Sequence, residues 1–138
     1  MKEILIIEDS TADAKAAVRA LKKAGVKNPV RLIDHGTRAM RYLEAVAAPP
    51  TVVFFDVKLP GHSGFELLDY VREDPKFNGT LRIVFSSLDD IRTIKDAYAH
   101  GAHSFLVKPV SEGEIVALVK AFAGYWVMKD GAAERSLA

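Results

Sequence analysis

Residues 51–64 read Thr51-Val52-Val53-Phe54-Phe55-Asp56-Val57-Lys58-Leu59-Pro60-Gly61-His62-Ser63-Gly64. The first five are apolar or β-branched and predict a buried strand. Asp56 ends that strand. The loop behind it is rich in breakers, with Pro60 and Gly64 at fixed distances from the carboxylate. A helix pattern follows, with Phe65, Leu67, Leu68 and Val71 on its apolar face. In an open α/β sheet, ligands and chemistry gather at the carboxyl ends of strands. A carboxylate held there is placed to act as a nucleophile. Taken alone, Asp56 would more often be a helix cap or a turn residue.

The other strand ends change that balance. A first strand, Glu3–Ile7, ends in Glu8-Asp9, and a second spans Pro29–Asp34. A fourth, Leu81–Phe85, ends in Ser86-Ser87, and a fifth, Ser104–Val107, ends in Lys108-Pro109. Helix patterns lie between them. The first is capped by Ser10 or Thr11 and stops near Ala24 at Gly25. The others run over Gly36–Ala47, Gly64–Glu73, Asp89–His100 and Ser111–Met128. Pro49-Pro50 closes the second helix, and residues 74–80 form a turn-rich connection. Five β-α units in order predict a parallel sheet with helices on both faces. The expectation is one domain over residues 1–128 and a flexible tail over 129–138.

Composition narrows the function. The chain has 138 residues, 49% of them hydrophobic, which suits one core. A net charge of +1 gives no electrostatic case for nucleic acid. Cysteine is absent, which excludes disulfides and thiolate metal sites. The apolar run Ile4–Ile7 is too short for a membrane span or a signal peptide. The expected setting is the cytoplasm. The four histidines, His35, His62, His100 and His103, lack zinc spacing and read as surface residues.

The strand ends define the chemistry. Glu8, Asp9 and Asp56 would meet at one edge, where three carboxylates repel and raise one another's pKa. A hard divalent cation such as Mg²⁺ (or Mn²⁺) relieves this, binding carboxylate oxygens and neutralising a phosphoryl group in transfer. Asp56 would then attack phosphorus and become an aspartyl phosphate. Ser86 would donate to one phosphoryl oxygen and Lys108 would pair with another. Singly, each group also reads as ordinary structure: Glu8-Asp9 and Ser86-Ser87 as helix caps, Lys108 as a solvated lysine. Their joint placement at four strand ends favours chemistry.

With acid pair, acid, hydroxyl and lysine in that order, the chain resembles the receiver domains of two-component response regulators. The resemblance runs from Ile4 to about Met128. It rests on Glu8-Asp9, Asp56 with Pro60 and Gly64, Ser86, Phe105 and Lys108-Pro109. It implies a doubly wound (βα)5, flavodoxin-like α/β fold with strand order 2-1-3-4-5. It makes Asp56 the phosphoacceptor, Glu8 and Asp9 the metal-binding acids, and the backbone carbonyl of Lys58 a further metal ligand. Ser86 becomes the switch hydroxyl, Phe105 the switch aromatic and Lys108 the phosphate-sensing lysine. The implied partner is a sensor histidine kinase. Such a domain catalyses only its own phosphorylation and dephosphorylation.

A narrower resemblance joins Glu8-Asp9-Ser10, Ala12-Asp13, Lys108-Pro109-Val110 and Tyr125-Trp126. It points to small stand-alone regulators, some of which partner phytochrome histidine kinases. It implies a homodimer through the fourth helix, fifth strand and fifth helix. Ile115, Val119, Phe122 and Trp126 form the last helix's core stripe; Val116, Tyr125 and Val127 remain to be placed, and a last helix apolar on more than one face can mark an interface. Lys58 and Leu88 depart from the commonest receiver pattern. Leu88 offers no hydrogen bond to a hydrolytic water, so a long-lived aspartyl phosphate is expected. Three rival classes remain. A haloacid-dehalogenase-like phosphatase wants an acid at position 58, where this chain has lysine. A flavodoxin-like cofactor binder would not place Glu8-Asp9 against a phosphate. A phosphorylation-independent interaction module would not need a complete site.

Overall fold

The computed structural model describes residues 2–88 and 90–129. Five strands, β1 (Ile4–Ile7), β2 (Val30–Ile33), β3 (Val52–Asp56), β4 (Leu81–Ser86) and β5 (Ser104–Val107), alternate with five helices. The helices are α1 (Thr11–Lys23), α2 (Gly36–Ala45), α3 (Gly64–Glu73), α4 (Ile91–Ala99) and α5 (Glu112–Ala121). All strand pairs are parallel, in the order β2-β1-β3-β4-β5. This is the doubly wound fold expected from the sequence.

Alternation along the strands divides the core. Ile4, Ile6, Val52, Phe54, Ile83 and Phe85 pack on one face with Ala17, Leu21, Ile115 and Val119 of α1 and α5. Leu5, Ile7, Val53, Phe55 and Val84 pack on the other with residues of α2, α3 and α4. Successive side chains of a strand point to opposite faces. The continuous apolar runs of β1 and β3 are therefore buried on both sides.

Local signals fix most helix ends. Ser10, Ser63, Asp90 and Ser111 each accept a backbone N–H as N-caps. The fourth helix thus begins at Ile91, later than expected, because Asp90 caps it. Gly25, at φ +92°, follows the C-cap of α1. The connection after α3 contains a 3-10 turn over Pro75–Phe77, and Phe77 is fully buried.

The last helix departs from expectation. It stops at Ala121, not near Met128, and Phe122 leaves the helical region. Gly124 then takes φ +95°, a conformation that turns the chain at no Cβ cost. Residues 125–129 run as a strap across the amino ends of the strands. Val127 accepts from Lys27 N–H at 2.6 Å, and its own N–H donates to Asn28 Oδ1 at 2.8 Å. The Tyr125 carbonyl accepts from Thr51 Oγ1 at 3.0 Å. Trp126 and Met128 are buried in the α1–α5 core. Val116, Tyr125 and Val127, which the core stripe of the helical reading did not place, are half-buried, the last two on the strap. Lys129 N–H donates to the Gly25 carbonyl, which ties the first residue of the expected tail to the domain. The rest of that tail, residues 130–138, lies outside the described residues.

Candidate functional site

Register brings the acids together. Ile7 pairs with Phe55 across β1 and β3, so Glu8 and Asp56 leave neighbouring strands at the same level. Asp56 pairs with Phe85, which puts Ser86 one residue further along β4. Ser86 pairs with Val107, and its carbonyl accepts the Lys108 N–H at 2.9 Å. Phe105 sits on the row of Phe55 and Val84, below the site, and is half-buried. The Lys108–Pro109 peptide is cis.

Carboxylate oxygens of Glu8, Asp9 and Asp56 lie within 4.8 Å of one another. Glu8 and Asp56 are buried, while Asp9 is exposed at the mouth. Lys108 reaches into this cluster. Its ammonium lies 3.0 Å from Asp56 Oδ1, against Glu8 Oε1, and 3.5 Å from Asp13 Oδ2. The Phe85 ring is 5.0 Å from the same ammonium. Burial, with Asp56 beside it, holds the Glu8 carboxyl above the usual carboxylate range, against the pull of Lys108 and the Ser10 N–H. Burial lowers the Lys108 pKa, but its ion pairs with Glu8 and Asp56 outweigh burial and hold it above the ordinary lysine value.

The loop after Asp56 is pinned by glycines. Gly64 N–H donates to the Val57 carbonyl at 3.1 Å, and a Cβ on Gly64 would overlap the Asp56 carbonyl. Gly36, at the start of α2, donates to the Pro60 carbonyl at 2.8 Å, and a Cβ there would strike the backbone of His62. Pro60 and Gly64 therefore lock the loop through backbone approach. The Gly36 contact was not read from the sequence, because it joins segments far apart in the chain.

Two readings that competed in the sequence hold together here. Glu8 Oε2 accepts the Ser10 N–H at 3.1 Å, so Glu8 serves α1 while its other oxygen faces the cluster. Ser86 Oγ accepts the Leu88 N–H at 3.0 Å, which shapes the turn toward α4, although Asp90 is the helix cap. Lys58 is exposed. The histidines are more engaged than a surface reading allows. His35 Nδ1 accepts the Thr37 N–H as a helix cap, and His103 Nδ1 accepts the Arg82 N–H at 2.9 Å. His100 stacks on Phe65 and meets Asp69 at 2.7 Å.

The donor set is one a divalent metal fits. Its ligands are hard oxygens, and Glu8 Oε1, shut off from solvent, accepts no well-directed hydrogen bond. Fold and acid cluster together define a phosphoryl-receiving signalling domain. The chain belongs to the response regulator receiver domain family, whose model matches residues 4–120. That is a signalling family, fed by histidine kinases, with an acidic pocket for divalent metal.

Among relatives, the Arabidopsis thaliana two-component response regulator ARR6 is 31% identical over 121 residues, covering 81% of this chain. The match spans 64% of ARR6's length. The bacteriophytochrome response regulator AtBRR is 26% identical, with a TM-score of 0.80 over 94% of this chain and 98% of its own. The Mn²⁺-bound form of response regulator Rcp1, from Synechocystis sp., has a TM-score of 0.73 at 22% identity. That match covers 88% of this chain and 94% of Rcp1. Among the described residues, no helix is long and apolar enough to cross a membrane.

Proposed function

We propose that Asp56 accepts a phosphoryl group from the phosphohistidine of a sensor kinase. The observation that carries this reading is the buried Asp56 carboxylate, set within 4.8 Å of the Glu8 and Asp9 oxygens and 3.0 Å from Lys108. A carboxylate oxygen of Asp56 forms the bond to phosphorus. The phosphorus–nitrogen bond of the donor breaks, and the imidazole leaves with the electron pair. Glu8, Asp9, Asp56 and the Lys58 carbonyl would hold Mg²⁺ or Mn²⁺, which neutralises phosphoryl charge when bound. Lys108 supplies a fixed positive charge to a phosphoryl oxygen, and Ser86 a hydroxyl donor. Attack of water on phosphorus breaks its bond to the Asp56 oxygen, which regenerates the carboxylate and releases inorganic phosphate. Catalysis of this kind is confined to the domain's own phosphorylation state. The test is acetyl phosphate as donor, with Mg²⁺ or with EDTA, read by intact mass. A phosphoryl mass shift that disappears in EDTA supports the reading, and an equal shift in EDTA contradicts it.

Output runs through β4 and β5. Phosphate draws the Ser86 hydroxyl inward, away from the Leu88 N–H, and Phe105 moves into the space released. Ser86→Ala is expected to accept phosphate and transmit it poorly. NMR shifts at Phe105 that match those of phosphorylated wild type would contradict this.

The exposed apolar residues near that face are Ile91 and Tyr98 on α4 and Val107 on β5. They support a homodimer through α4, β5 and α5, seated there and not on the strap. Sedimentation of the phosphorylated protein at high micromolar concentration is expected to show dimer, and a strict monomer contradicts it. Likeness to a bacteriophytochrome response regulator supports a phytochrome kinase as the cytoplasmic input. Phosphotransfer from such a kinase no faster than from an unrelated one would reject that partner. The rival phosphatase reading has no acid at position 58, where Lys58 stands.

A further inference from the structure

The first turn of α1 carries an acid that behaves unlike its counterparts. The third helical residue is Glu66 in α3 and Glu114 in α5, and each carboxylate reaches back to its N-cap N–H. These are capping boxes. In α1 that residue is Asp13, and the Ser10 N–H it would serve is taken instead by Glu8 Oε2. Asp13 is released from capping. Its Oδ2 lies 3.5 Å from the Lys108 ammonium, the same group that meets Glu8 and Asp56. The Lys108 side chain is 9% exposed and that of Asp13 is 39% exposed, so Asp13 holds the outer side of the ammonium.

We propose that Asp13 is a positioning residue that keeps Lys108 at the rim of the site when a divalent cation takes Glu8 and Asp56. The inference rests on those acids being the metal ligands. An ammonium and a divalent cation repel one another and cannot both sit on the Glu8 and Asp56 oxygens. Lys108 must give up Glu8 when the cation enters. Asp13 is then the carboxylate, outside the ligand set, already within ion-pair distance. Without it the ammonium falls back on Glu8 and competes with the cation. With it, Lys108 stays beside Asp56, where a phosphoryl oxygen would arrive.

The test is Mn²⁺ binding by the full chain, followed through the electron paramagnetic resonance of the free ion. Asp13→Asn is expected to weaken binding by about two- to fivefold, the range of a partly exposed ion pair. Asp13→Glu should restore most of it. The deciding arm is a double-mutant cycle with Lys108→Ala. Acting through Lys108, Asp13→Asn changes nothing further in that background. A loss that persists there overturns the proposal, since Asp13 would then act on the metal directly. So does unchanged binding in the single variant. Wild type that binds no Mn²⁺ overturns the metal reading itself and this inference with it, whereas tight wild-type binding with an unaffected Asp13→Asn overturns the inference alone. Circular dichroism of each variant separates these results from unfolding.

Discussion

Asp56→Asn is expected to abolish phosphoryl uptake while leaving the fold intact. An amide has the shape of the carboxylate but lacks the charge and nucleophilicity that attack on phosphorus needs. The side chain is buried at the end of β3, where the change adds no volume. Lys108 keeps Glu8 and Asp13 as partners, so no buried cation is stranded. Glu8 loses the carboxylate beside it, and the Glu8 pKa should fall toward the ordinary range. Circular dichroism and urea denaturation should therefore match wild type or show slightly greater stability. Intact mass after acetyl phosphate and Mg²⁺ should show no added phosphoryl group. Labelling of the variant at wild-type yield would show that another residue accepts phosphate.

Trp126→Ala is expected to cost about 3–5 kcal/mol, the usual penalty for emptying a large aromatic site in a core. Trp126 is 5% exposed, and its Nε1–H donates to the Phe122 carbonyl at 2.9 Å. Its ring fills the core between α1 and α5 at the amino ends of the strands. Against a typical total stability of about 5–15 kcal/mol, such a loss is severe. Urea denaturation should show a much lower midpoint at an unchanged slope. The cluster of Glu8, Asp9 and Asp56 lies at the opposite edge of the sheet, so the fraction still folded should retain the proposed Mg²⁺-dependent uptake. A loss below about 1 kcal/mol would place Trp126 outside the core.

That residue also marks where the sequence stops being legible. Element order, the two-faced sheet and the four chemical strand ends follow from local patterns, because apolar periodicity and breakers act within a few residues. The acids and Lys108 converge because parallel register carries neighbouring strand ends to one level, which the β-α alternation already implies. The end of α5 was misread because Tyr125-Trp126-Val127-Met128 continues an apolar pattern compatible with a helix. Gly124 was the local signal for the stop, but the strap is held by Lys27, Asn28 and Thr51. Those partners are distant in sequence, so no local window contains them. The same reason hid the Gly36 contact with the loop after Asp56.

Hydride reduction of the phosphorylated protein tests the central claim most directly. An aspartyl phosphate is an acyl phosphate, and borohydride converts it to an alcohol that survives digestion. Peptide mapping then reads the modified position without relying on a variant. The account predicts reduction at Asp56 alone, dependent on both acetyl phosphate and Mg²⁺. Reduction at Glu8, Asp9 or Asp13 in place of Asp56, or at Asp56 with equal yield in EDTA, would contradict it.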